Sequence, residues 1–201
     1  MIFRFLGLSA VLALGLLGAC NGHRANAVKA YQHQLSRRQE LQAESVQAYR
    51  KGMEAHRAGD LVGAVDQLRQ AVLLDDRNTP AWMALGVACF ERDELFEAAN
   101  AFDRAWVLAP DRYEPVYNLA CVLESAGKFA KAIERYEQAL KLAPEQPEVL
   151  ENLARCYIAS GEAEKAKPLI EQALKTELRP EWQVWLQTHS SMLSSAKGDG
   201  Q

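Results

Sequence analysis

Small and large apolar residues return along this chain at a fixed spacing. Trp82, Leu85, Gly86, Ala98, Phe102, Ala105 and Pro110 reappear 34 residues later as Val116, Leu119, Ala120, Ala132, Tyr136, Ala139 and Pro144. A period of this length marks a stack of similar helical pairs, because one irregular helical domain would not hold seven positions in register. Small residues recur where two helices must approach closely, and large ones where the next unit must be filled. Extending the register outwards gives Ser45–Asn78, Thr79–Arg112, Tyr113–Gln146 and Pro147–Pro180, with no insertion between them. The first unit keeps Gly52, Ala64, Leu68 and Ala71 but carries Lys51 and Glu54 where the others are apolar. The fourth keeps Leu150, Leu153, Ala154, Ala166, Ile170 and Ala173 but has Leu178 in place of the proline. Weaker end units are expected, since one face of each has no repeat to bury it.

The order of a large residue, Leu, Gly or Ala, then Ala, Phe or Tyr, Ala and Pro resembles the signature of the tetratricopeptide repeat. The resemblance covers 136 of the 201 residues. It implies an all-α fold, a right-handed α-solenoid of four helix-turn-helix units with a C-terminal capping helix. Each unit divides into helix A, a turn and helix B. Gly59, Gly127 and Gly161 share one place in the turn, where a left-handed residue ends helix A at least cost, and Asp93 holds that place in the second unit. Pro110 and Pro144 stop helix B, Pro80 suits a helix start, and Pro168 is expected in the first turn of the last helix B.

The ends of the chain read differently. Met1 to Cys20 holds one Arg4, an apolar run from Phe5 to Ala19, then small residues. The run is short of the ~20 residues that span a bilayer, so residues 1–19 are expected to be a removable signal peptide. Leu17-Gly18-Ala19-Cys20 resembles a bacterial lipobox, which implies lipidation, palmitate included, at Cys20. More than one acyl chain makes such anchoring stable. An uncleaved anchor with an accidental cysteine is the competing view. Asn21, in place of aspartate, favours an outer-membrane lipoprotein facing the periplasm. Residues 20–44 are expected to form a helical tether with a weak stripe of Val28, Tyr31 and Leu35. Residues 181–194, with Trp182, Trp185, Leu186 and His189, should cap the last repeat, and 195–201 should be a disordered tail.

Composition changes little. A net charge of −3 with no long basic run argues against nucleic acid. Cys89, Cys121 and Cys156 lie about one repeat apart in successive helices A, which suits small buried residues better than a disulfide. The four histidines show no metal-ligand spacing, and neither a nucleophile elbow nor a phosphate-binding glycine loop occurs. No metal, no cofactor and no catalysis are expected.

The resemblance places binding on the concave surface, at the second, fifth, sixth, ninth and twelfth positions of helix A. It nominates Tyr49, Met53, Met83, Val87, Phe90, Tyr117, Asn118, Asn152 and Arg155 as a partner-binding groove. The clamp that some members use for a terminal carboxylate needs lysine at the fifth position and asparagine at the ninth. Here Tyr49 stands with Met53, Met83 with Val87 and Glu151 with Arg155, so that clamp is absent. Asn118 and Asn152 are expected to hold an extended peptide backbone, and the methionines to adapt to an apolar side chain. Filling of the inner wall is the competing role for all of them. The function expected is a lipid-anchored scaffold for a protein or peptide partner in the cell envelope, first in pilus or secretin assembly. An adaptor for cell-wall hydrolases or outer-membrane protein assembly is the alternative, and self-association stays open.

Overall fold

The turn residues take the backbone that their position demands. Gly59, Gly127 and Gly161 have φ of 80°, 69° and 79°, and Asp93 has φ of 62°. The computed structural model describes residues 7–176 and 180–195, with side chains from 26 to 175 and from 183 to 190. Leu178, residues 1–6, the tail 196–201 and the side chains of Cys20 and Trp182 lie outside the described residues.

Among the described residues the structure is wholly helical. Its helices are α1 (Gly7–Arg57), α2 (Leu61–Leu74), α3 (Thr79–Glu91), α4 (Leu95–Leu108), α5 (Tyr113–Ser125), α6 (Phe129–Leu142), α7 (Pro147–Ala159), α8 (Ala163–Thr176) and α9 (Pro180–Ser195). Every helix packs on its neighbours in sequence, and α1 also touches α3, as α5 touches α7. This is the contact pattern of a solenoid, in which each unit meets only the next.

Among the described residues the starts of α2 and α3 carry side-chain caps. The Asp60 carboxylate accepts from the Gly63 N–H at 2.8 Å, and Asn78 Oδ1 accepts from Ala81 N–H at 3.1 Å. Each such cap contributes about 1 kcal/mol. Pro80 and Pro147 sit in the first turns of α3 and α7, where no N–H is missed. Pro168 does not sit in a first turn as expected. Helix α8 already begins at Ala163, so Pro168 lies inside it and gives no N–H to the carbonyl four residues back.

Alanines make the close crossings. Ala64, Ala98, Ala132 and Ala166 are fully buried, as are Ala71, Ala105, Ala139 and Ala173. A large helix-B residue, Leu68, Phe102, Tyr136 or Ile170, then fills each unit and is buried in turn. It needs a small partner on helix A. A Cβ added to Gly86 would lie 2.6 Å from the Phe102 ring, and one added to Gly52 would lie 2.6 Å from Leu68 Cγ.

The end units differ for the reason given by their neighbours. Leu85, Leu119 and Leu153 are buried against the preceding helix B, whereas the equivalent Lys51 is exposed, no helix B preceding the first repeat among the described residues. At the far end, Leu186 of α9 is fully buried against the fourth repeat with Ile170 and Ala173. Trp185 stacks on His189 at 4.1 Å beside it.

Helix α1 runs without a break through the tether into the first repeat. Residues 26–40 are all exposed, Val28, Tyr31 and Leu35 included. Leu41 is half-buried, and the first buried residue among those described is Ser45, whose hydroxyl donates to the Ala71 carbonyl at 2.8 Å and accepts from Asn78 Nδ2 at 2.9 Å. One serine thereby joins α1, the end of α2 and the start of α3. Among the described residues no helix is long and apolar enough to cross a membrane.

Candidate functional site: a concave groove

Helices A stand side by side, so their equivalent positions line one surface. At the first two repeats, Tyr49, Met53, Met83 and Val87 come together around a hollow of about 370 Å³. Pro80, Ala84, His56, Arg112 and Glu114 also line it. Tyr49, Met53, Met83 and Val87 are each half-buried, and Tyr49, Met83 and Val87 pack against the core behind. The His56 Nε2 atom lies 2.8 Å from Glu91 Oε2 and ties the first repeat to the second at the hollow's edge.

Arg112 was not among the expected residues. It precedes α5 and so occupies none of the inner helix positions, but its guanidinium donates to Glu114 at 2.7 Å and is thereby drawn to the rim. That pairing raises the guanidinium pKa and lowers that of the carboxyl.

The last two repeats carry a different surface. A second hollow of about 450 Å³ is lined by Phe90, Cys121, Glu124, Ser125, Phe129 and Arg155. Behind it runs a chain of polar contacts. Asn152 Nδ2 donates to Tyr117 Oη at 2.8 Å; Tyr136 Oη donates to Glu124 Oε2 at 2.7 Å and lies 3.2 Å from Cys121 Sγ. Arg155 Nε donates to Glu124 Oε1 at 2.9 Å. Burial pushes the Tyr117 and Tyr136 hydroxyls and the Cys121 thiol upward, so all three stay protonated. Burial alone would lower the Arg155 guanidinium, but the bond to Glu124 more than offsets it.

The two asparagines therefore part company. Asn152 is buried and its amide is already engaged with Tyr117, which makes it a support for the wall. Asn118 is half-buried, lines neither hollow, and no hydrogen bond of its side chain is seen among the described residues. The difference arises because Tyr117 reaches Asn152 from the preceding repeat, whereas the residue one repeat before Tyr117 is Met83, which offers Asn118 no hydroxyl.

Burial keeps the described thiols protonated. Burial pushes Cys89 up to about 11 and Cys156 up to about 12, and neither forms a disulfide. Among the described residues no group of His, Cys, Asp and Glu is placed to hold a metal ion.

Two models of the tetratricopeptide repeat match the chain, one over residues 49–115 and one over residues 123–183. The helical pairs, their turn residues and these matches place the chain in the tetratricopeptide-repeat family. Among solved structures, one described as the crystal structure of MamA is 26% identical with a TM-score of 0.63, covering 78% of this chain and 90% of that one. A second, of MamA protein, is 25% identical with a TM-score of 0.63 and covers 85% of this chain and 96% of that one. The first TPR of Spaghetti (RPAP3) bound to the HSP90 peptide SRMEEVD is 18% identical, with a TM-score of 0.57 over 60% of this chain and 95% of that one. That last likeness is one of fold. No curated protein matches.

Proposed function

We propose that this chain is a lipid-anchored scaffold that holds a segment of a protein partner in its concave groove. The observation that carries the groove is the hollow between α1, α3 and α5, which half-buried Tyr49, Met53, Met83 and Val87 line with apolar surface. A concave apolar site with a few polar groups at its rim is the usual form of a binding site. Tetratricopeptide repeats are scaffolds for protein–protein contact, and the neighbour bound to the HSP90 peptide is one instance.

The anchor rests on Leu17-Gly18-Ala19-Cys20, with lipid on Cys20. Asn21 supports placement in the outer membrane, facing the periplasm. From Cys20 to Ser45 the continuous helix α1 would set the first repeat roughly 37 Å from the lipid, at 1.5 Å per residue. Such a stand-off suits a scaffold that works on other envelope proteins. We place its process first in pilus or secretin assembly, on architecture alone.

Cys20→Ser tests the anchor. The variant is expected to lose incorporation of a radioactive fatty acid and to leave the membrane fraction. Incorporation equal to the parent's would overturn the lipid anchor.

A further inference from the structure

The tether carries an exposed face that continues the groove. Val28, Tyr31 and Leu35 precede Val46, Tyr49 and Met53 by eighteen residues each, which is five whole turns at 3.6 residues per turn. Helix α1 is continuous over all six, so they share one of its faces. Tyr49 and Met53 line the hollow. Val28, Tyr31, Leu35 and Val46 stand open to solvent, from 39% to 62% exposed. The lining of the groove therefore runs on along α1, interrupted by Arg38 and Gln42, over roughly 37 Å at 1.5 Å per residue.

This face lies in a stretch of one charge sign. All 26 acidic residues of the chain stand at position 40 or later, so Asn21 to Gln39 holds Arg24, Lys29, Arg37 and Arg38 and no carboxylate. Arg37 pairs with Glu40 at 3.3 Å, whereas Lys29 and Arg38 have no ion pair among the described residues. Arg38 follows Leu35 by three residues on the apolar face, and Lys29 borders Val28.

We infer, resting on the groove reading above, that the partner contributes an amphipathic helix that lies along α1. Its apolar side covers Val28, Tyr31 and Leu35, and acidic side chains stand beside Lys29 and Arg38. Apolar residues at i, i+3 and i+7 are the spacing by which one helix meets another. A basic helix is disfavoured, because like charges placed across an interface repel. A bilayer would suit an apolar stripe with cations at its border. The shared face, however, would then turn Tyr49 and Met53 toward the lipid and close the hollow. The partner thus reaches from the hollow toward the Cys20 end of α1.

The test uses the full lipoprotein in phosphatidylcholine vesicles, with empty vesicles as the control. The probes are fluorescein-labelled, alanine-rich helical peptides with leucines at i, i+3 and i+7, flanked by glutamates, glutamines or lysines. The glutamate peptide is expected to bind tighter than the glutamine peptide by about twofold per charge, with the lysine peptide weakest and the differences shrinking in salt. Tyr31→Ser with Leu35→Ser should weaken the glutamate peptide at least tenfold, and His33→Ser, on the opposite face, should leave it unchanged. Lys29→Gln with Arg38→Gln should remove the preference for glutamate over glutamine. Equal binding of the three peptides, tightest binding of the lysine peptide, or equal losses from the Tyr31 and Leu35 pair and from His33→Ser would overturn the inference. So would Tyr31→Trp fluorescence quenched by brominated phosphatidylcholine with no peptide bound, which gives this face to the bilayer. Failure of the groove reading shows instead as the absence of a partner crosslink from Met83, a readout in which the peptides take no part.

Discussion

Two glycines show how differently one residue type can be required. Gly86 is pressed by the Phe102 ring at 2.6 Å, while Gly127 has φ of 69° and nothing within 4 Å of an added Cβ. Gly86→Ala should therefore cost about 1–3 kcal/mol by overpacking, despite alanine's better helix propensity. Gly127→Ala should cost about 1 kcal/mol from backbone strain alone. Urea midpoints measure both, and a Gly86→Ala midpoint at or above the parent's would contradict the close crossing. The asparagines separate in the same way. Asn152→Ala removes the donor to half-buried Tyr117 and should lower stability by about 1–3 kcal/mol. Asn118→Ala should leave thermal unfolding unchanged, and an equal loss from both would show that Asn118 is also a wall residue. The sequence could place both asparagines at the sixth position but could not tell them apart. Their fates depend on what the preceding repeat offers, Tyr117 in one case and Met83 in the other.

At the scale of elements, the turns and alanine crossings were legible because each depends on a residue type that few others can replace. Asp93 was readable as a turn residue only from its register, and its φ of 62° agrees. Pro168 was misplaced because the start of α8 is set by the turn at Gly161, five residues ahead of where the proline alone would put it. Arg112 was missed because a residue before a helix belongs to no helical face. The junction at Ser45 was also invisible, since its partners, the Ala71 carbonyl and Asn78, are 26 and 33 residues away. Ser45→Val should leave Asn78 Nδ2 without its acceptor, and the Ala71 carbonyl with the Asp75 N–H alone, and cost about 1–3 kcal/mol. Tyr31→Ser with Leu35→Ser, on the exposed part of α1, should leave the melting temperature unchanged. A fall equal to that of Ser45→Val would mean that the outer stretch of α1 packs on the repeats.

At the scale of the whole molecule, the period defines the stack and the stack defines one continuous inner face. Its outer face carries exposed apolar residues too, among them Val62 and Phe96, which occupy the same position of α2 and α4. Site-specific photo-crosslinking in intact cells decides between the two faces. A benzophenone side chain at Met53 or Met83 is expected to give one discrete adduct of the same size from either position. The same group at Val62 or Phe96 should give none, and Tyr49→Glu should abolish the adduct from Met83. Adducts from the outer positions alone, or an adduct at Met83 indifferent to Tyr49→Glu, would contradict a partner held in the groove.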